Sequence, residues 1–120
     1  MNAVIDTNIL IDYLNGVPLA SQEINRYVRP TISTITWIEV LVGIPPAQEP
    51  AVRAFLATFE LQELDAPIAE AAIRLRRQNR IKLPDAIIWA TARVGKALLV
   101  TRNSRDFDPS EPGIRIPYII

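Results

Sequence analysis

The stretch Ala3-Val4-Ile5-Asp6-Thr7-Asn8-Ile9-Leu10 decides how the rest of the chain is read. A short apolar run arrives at an aspartate, small polar residues follow, and a second apolar run begins. The first run reads as a buried strand and the second as a helix start, so Asp6 sits where a strand ends. In an open α/β sheet, sites are built at the carboxyl ends of strands, beside helix N-termini. Asp6, Thr7 and Asn8 are also good helix-capping residues, so Asp6 alone reads equally well as a cap and as a functional acid.

A length of 120 residues predicts one domain over residues 1–120 with a sizeable core. The 49% hydrophobic content is that of a globular chain. No apolar run approaches the roughly 20 residues of a membrane span. The N-terminus lacks the basic region and cleavage site of a signal peptide, which predicts a cytoplasmic protein with no membrane partner.

Histidine and cysteine are both absent. That excludes disulfides, thiolate nucleophiles, Cys/His zinc sites and Ser-His-Asp relays. Carboxylates are the first candidates for the working groups of an enzyme here, and clustered carboxylates favour a hard cation, Mg²⁺ or Mn²⁺. The 13 basic and 13 acidic residues cancel, so only local patches can attract a polyanion. Arg74, Arg76, Arg77, Arg80 and Lys82 form one such patch.

Taken in order, Ile9 to Leu14 forms a short helix stopped by Asn15-Gly16, and a second helix covers Leu19 to Tyr27 with Pro18 near its first turn. Thr31-Ile32-Ser33 is a short strand. Ser33 or Thr34 caps the helix Ile35 to Gly43, which is apolar on nearly every side and has Glu39 as its one charge. Ile44 to Pro50 is a proline-rich loop, Ala51 to Phe59 a helix, and Glu60 to Leu64 a weaker strand. Asp65 caps a helix through Gln78. Leu83-Pro84-Asp85 opens a buried helix that ends at Gly95. Ala97 to Val100 and Ile114 to Pro117 are the last strands, the latter at an edge where proline is tolerated. Alternating strands and helices predict an α/β fold: a mostly parallel sheet covered on both faces.

Burying an unpaired carboxylate is costly, so an acid on an apolar element needs a reason. Asp6 at a strand end, Glu39 within an apolar helix and Asp85 opening a buried helix stand out. Each has an ordinary reading: Asp6 as a cap, Glu39 as half of a Thr36-x-x-Glu39 capping box, Asp85 as a complement to the helix dipole. Asn103 or Asp106 follows the last buried strand, and Asp106 reads on its own as a solvated loop acid. Together the acids would repel one another unless a cation lay between them, and such a cluster suits phosphodiester hydrolysis.

These residues carry a resemblance. Ile5-Asp6-Thr7-Asn8-Ile9-Leu10 resembles the first motif of the PIN-domain ribonucleases, and Ile35-x-x-x-Glu39-x-x-x-Gly43 the second. Leu83-Pro84-Asp85-Ala86-x-Ile88-x-Ala90-Thr91-Ala92 resembles the third, and Leu99-Val100-Thr101-Arg102-Asn103-x-x-Asp106-Phe107 the fourth. The compact size is similar to that of VapC toxins of toxin–antitoxin pairs. The resemblance implies a three-layer α/β/α sandwich with a sheet of four to five strands. It also implies an Mg²⁺- or Mn²⁺-dependent endoribonuclease with Asp6, Glu39 and Asp85 as its acidic, metal-binding core. Asn103 falls where the family carries a fourth acid, which leaves the number of metal ions open. Thr7, Asn8 and Thr101 would orient the acids, and Asp106 would either compensate for Asn103 or brace the loop.

The resemblance further implies a homodimer and a small antitoxin of VapB type laid across the groove. Trp37, Ile38, Leu41, Ile44 and the helix over 51–59 are candidates for that contact, or else ordinary core. Arg77, Arg80, Arg102 and Arg105 would guide RNA phosphates, the helix arginines reading equally as a solvated face. Two other functions compete: a PIN-like module that binds RNA or protein without turnover, and phosphotransfer through Asp6. The second lacks the acid two residues on, where Asn8 stands, and a suitably placed lysine.

Overall fold

A computed structural model describes residues 2–119. The elements are β1 (Ala3–Ile5), α1 (Thr7–Leu14), α2 (Pro18–Ile24), β2 (Thr31–Ser33), α3 (Thr34–Val42), α4 (Glu49–Leu56), β3 (Glu60–Gln62), α5 (Ala66–Gln78), α6 (Leu83–Val94), β4 (Leu98–Val100) and β5 (Ile114–Arg115). The strands form one five-stranded sheet in the order β3-β2-β1-β4-β5. All four pairings are parallel. Every strand therefore ends on the same edge. Sheet order runs outward in both directions from β1, so the crevice between β1 and β4 is the topological switch point.

Side-chain alternation divides the core into two. Val4, Leu99 and Ile114 pack with α5 and α6, Trp89 and Phe107 among them. Ala3, Ile5, Ile32 and Val100 pack on the other face with Ile9, Leu10, Ile24, Val40 and Leu56 of α1 to α4. Adjacent residues of one strand thus serve opposite faces, as the pleat requires, and the three-layer α/β/α sandwich follows.

Most element starts obey local chemistry. The Asp65 carboxylate accepts the Ile68 N–H at 3.0 Å to cap α5, and Ser33 Oγ accepts the Ile35 N–H at 3.1 Å to cap α3. With Ser33 in that role, the Thr36–Glu39 capping box does not form. The second helix stops at Ile24 instead of reaching Tyr27. The proline-rich stretch before α4 is not all loop: it holds a 3₁₀ turn at Pro46–Gln48, and Pro50 falls in the first turn of α4, where its missing N–H is tolerated.

The sharpest difference concerns α3. Its apolar composition predicts a buried helix, yet only Thr36 and Val40 are buried, while Ile38 is 46% and Val42 80% exposed. Glu39 shares that open side. Composition could not separate an all-round core helix from one whose outer apolar side is left uncovered. By contrast α6 is buried over Ala86 and Ile88–Ala92, as expected. Trp37, Leu41 and Ile44 are half-buried against the core, with the Arg53 guanidinium 5.0 Å above the Trp37 ring. Among the described residues, no helix is long and apolar enough to cross a membrane.

Candidate active site

Three segments meet at the switch point: the end of β1, the start of α1 and the residues leaving β4. Asp6 is 4% exposed and uses both carboxylate oxygens. Oδ1 accepts the Thr7 N–H at 2.7 Å, capping α1. Oδ2 accepts the Thr101 hydroxyl at 2.7 Å and, more loosely, the Asn8 amide at 3.3 Å. Cap and candidate ligand, the two readings of Asp6, are therefore compatible.

Thr101 is fully buried and saturated. Its oxygen accepts from the Asn8 amide at 3.2 Å and the Asn103 N–H at 3.1 Å while its proton goes to Asp6. Thr7 binds the second acid: its hydroxyl donates to Glu39 Oε1 at 2.6 Å. With that hydrogen committed, Thr7 accepts from Thr36, whose oxygen lies 3.0 Å away. Thr7 thus connects Asp6, through its backbone, to Glu39, through its side chain. Thr7, Asn8 and Thr101 are thus each hydrogen-bonded to Asp6, and Thr7 to Glu39 as well.

Among the described residues, Asp6 has no ion-pair partner. Its direct partners are neutral donors; Asp85 and Glu39 bring negative charge nearby, and Arg102, whose charge also reaches it, is already forked onto Asp12. Burial pushes the Asp6 carboxyl up to about 6, the Thr101 and Thr7 hydrogen bonds pull the other way, and the negative charges of Asp85 and Glu39 add to the rise. Asp85, in the first turn of α6, is half-buried. Its carboxyl is also raised, by burial first, then by Asp106 and Glu39, with Lys82 opposing. Asp6, Glu39, Asp85 and Asp106 therefore share one electrostatic neighbourhood.

Asn103 and Asp106 bind each other. The Asn103 amide donates to Asp106 Oδ2 at 2.9 Å, and the Asp106 N–H donates to Asn103 Oδ1 at 3.2 Å. Asn103 braces the turn, while Asp106 supplies the charge nearest in effect to Asp85. Among the described residues, no three acids stand close enough to form a ready-made metal cage. Unscreened carboxylates repel, and here Asp6, Glu39 and Asp106 are tied to hydroxyls and amides instead. The donor set is nonetheless all oxygen and excess negative, and it fits a hard divalent cation better than a soft metal.

The arginines separate. Arg105 is exposed and lines a polar cleft of about 420 Å³ with Asn8, Arg102, Asn103 and Ser104. Arg77 and Arg80 are exposed at the end of α5 and beyond it. Arg102 is already engaged: Nε and Nη2 donate to Asp12 at 2.6 and 3.0 Å. Asp12 is 4% exposed and also accepts the Tyr118 hydroxyl at 2.8 Å. A second buried pair joins Arg115 to Glu23 at 2.7 and 3.0 Å, with Tyr27 donating to Glu23 at 2.8 Å. Neither Asp12 nor Glu23 stands out in the motif reading. Asp12 carries a signal that was available, an acid inside the apolar run Ile9 to Leu14.

An α/β/α sandwich with acids gathered at the carboxyl edge of a parallel sheet is the architecture of the PIN domain, and the chain belongs to that family, whose model matches residues 3–108. Within it the chain falls with the VapC proteins. It is 33% identical to Ribonuclease VapC19 of Mycobacterium tuberculosis, the match covering 96% of this chain and 98% of that protein. Among solved structures it is similar to a toxin–antitoxin complex from Klebsiella pneumoniae, with a TM-score of 0.94, 43% identity and coverage of 98% and 99% of the two chains. The DNA-bound VapBC of Salmonella typhimurium matches with a TM-score of 0.82 at 26% identity, covering 96% of each chain.

Proposed function

We propose that residues 1–120 form one PIN domain acting in the cytoplasm as a divalent-metal-dependent endoribonuclease, the toxin half of a VapBC-type pair. The observation that carries this reading is the state of Asp6: a buried carboxylate with neutral donors on both oxygens, other acids around it, and no ion-pair partner among the described residues. A structural acid so buried is normally paired with a cation of the protein. Asp6, Glu39 and Asp85 would hold Mg²⁺ or Mn²⁺, with Asp106 completing the site in place of the acid that Asn103 replaces. When bound, the ion supplies an activated water and offsets charge on the phosphodiester.

The protein's part is preorganisation. Thr101 and Thr7 direct their hydrogens at Asp6, which favours its ionised form against the burial that opposes it. Thr7 fixes Glu39, and the α6 N-terminus presents Asp85 with its dipole favouring negative charge. Arg105 lies beside the polar cleft where RNA phosphates would pass, and Arg77 and Arg80 supply more distant positive charge. The open side of α3 around Ile38, with Trp37, Leu41, Ile44 and α4, is the surface for a VapB-type antitoxin. A homodimer of the toxin is part of the same proposal.

The test is cleavage of RNA with Mg²⁺ or Mn²⁺, with chelator, and with Asp6→Asn and Asp85→Asn. Metal-dependent cleavage lost in both variants supports the nuclease. Metal binding without cleavage in the unaltered protein points to a binding module instead. Phosphotransfer gains no support: position 8, where a second acid would stand, is Asn8, bonded to Asp6 and Thr101, and Lys96 lies past the far end of α6 while Lys82 is exposed and acts on Asp85.

A further inference from the structure

α1 grips residue 102 at two points. One turn apart on this helix, Asn8 Oδ1 accepts the Arg102 backbone N–H at 3.1 Å, and Asp12 takes its guanidinium in a two-bond fork at 2.6 and 3.0 Å. Arg102 lies between Thr101, which donates to Asp6, and Asn103, which braces Asp106. The Asp12 end is itself fixed by the Tyr118 hydroxyl, beyond the last strand. The Thr101 N–H donates to the Arg115 carbonyl at 3.1 Å, so the C-terminal segment touches the same arm from a second direction.

We infer that Asp12, Arg102 and Tyr118 form a positioning unit: they fix the Thr101–Asn103 arm against α1 and so set where Asp6 and Asp106 stand relative to Asp85 and Glu39. Arg102 then serves the site through the peptide it anchors, and RNA contact by its guanidinium is not its main role. Its fork is occupied by a buried carboxylate at 2.6 and 3.0 Å, and charge-assisted bidentate pairs are both strong and directional. β4 ends at Val100; beyond it the arm is held by single hydrogen bonds to Asp6, Asn8 and the Arg115 carbonyl, and the Arg102–Asp12 fork is its bidentate, charged anchor. A shift of the arm moves Thr101 off Asp6 and Asn103 off Asp106 together. This rests on the proposed metal-dependent site.

The experiment compares Asp12→Asn, Arg102→Lys and Tyr118→Phe in the full chain. Mn²⁺ affinity is read by calorimetry, kcat and KM on RNA by steady-state kinetics, and folding by thermal melt. Groups that orient ligands from behind typically change metal affinity or activity by about 10- to 100-fold. We expect Asp12→Asn and Arg102→Lys each to weaken Mn²⁺ binding and lower kcat by about tenfold. KM and the salt dependence of RNA binding should stay unchanged, and Tyr118→Phe should give a smaller change of the same kind. Tyr118→Phe keeps the ion pair and guards against loss of fold. A raised KM with a shallower salt slope in Arg102→Ala, while the charge-keeping Arg102→Lys behaves like the unaltered protein, would mark Arg102 as a phosphate contact and overturn the inference. So would lowered melting temperature with kcat and Mn²⁺ affinity intact. If the unaltered protein binds Mn²⁺ but does not cut RNA, weakened Mn²⁺ binding in the variants still upholds the positioning unit, while the nuclease reading fails. An unaltered protein that binds no Mn²⁺ overturns both.

Discussion

Asp6, Asp12 and Glu23 are buried to the same degree, each 4% exposed, yet they live in opposite surroundings. Asp12 and Glu23 each face an arginine fork and a tyrosine hydroxyl. Asp6 faces threonine, asparagine and backbone, with more carboxylates behind them. Burial alone does not distinguish these acids; the presence or absence of a basic partner does. The first arrangement is electrostatically complete as it stands; under the proposed function, a divalent cation would complete the second.

The most severe way to break the contrast is to neutralise the unpaired acid. Asp6→Asn should reduce metal-dependent RNA cleavage by about a thousandfold, the scale of a lost charge-stabilising group worth roughly 4 kcal/mol. It should leave the fold intact and make the melting temperature less dependent on pH, since the titrating buried charge has been removed. Cleavage and melting measured on the same preparation decide both halves.

The next effect lies in the pH dependence, where the two kinds of acid have opposite signs. The folded Asp6 carboxyl titrates at about 6 instead of its ordinary 3.8. Between those values the folded chain holds more protons than the unfolded one, so stability falls as pH rises from about 4 through 6. The upper bound is on the order of 3 kcal/mol. Burial raises Glu23 as well, but the Arg115 and Tyr27 hydrogen bonds outweigh it and hold it below its ordinary 4.5. Its contribution is therefore present above that pH and lost as pH falls. Melting curves of metal-free protein between pH 4 and 7 should show the Asp6 loss in unaltered protein and a flatter profile in Asp6→Asn. Added Mn²⁺ should oppose the loss, because metal binding needs the deprotonated carboxylate.

Removing a basic partner attacks the other side of the comparison. Arg115→Ala leaves Glu23 buried with Tyr27 and, at 3.7 Å, Arg26. Breaking a buried pair from one side typically costs 3 to 5 kcal/mol; with Arg115 34% exposed we expect about 2 to 3 kcal/mol. Chemical denaturation measures it, and a loss below about 0.5 kcal/mol would show the pair to be no stronger than a surface salt bridge.

The smallest test resolves the fourth position. Asp106→Asn should lower cleavage by about tenfold, and Asn103→Ala by less, because Asp106 supplies the charge and Asn103 the brace. The reverse order would give the metal-facing role to Asn103.

Much of this was legible beforehand because it is local. Asp6 as a strand end and cap, Asp65 and Ser33 as caps, and the buried span of α6 each depend on neighbours a few residues away. The four-motif pattern likewise pointed to the family that the comparisons show. Where reading failed, the deciding contact lay elsewhere. The outward side of α3 depends on which helices pack beside it, and the commitment of Arg102 to Asp12 depends on a contact spanning 90 residues.

The sequence by itself therefore determined the alternation of strands and helices, the absence of thiol and imidazole chemistry, and the identity of the acids worth watching. Only the tertiary structure decided which acids are paired. In sequence, Asp6 and Asp12 are both acids embedded in apolar runs at either end of one short helix. In the fold, one meets Thr101 across 95 residues and the other Arg102 across 90. The energy of a buried charge is set by what lies within a few ångströms of it, and spacing along the chain does not encode that distance.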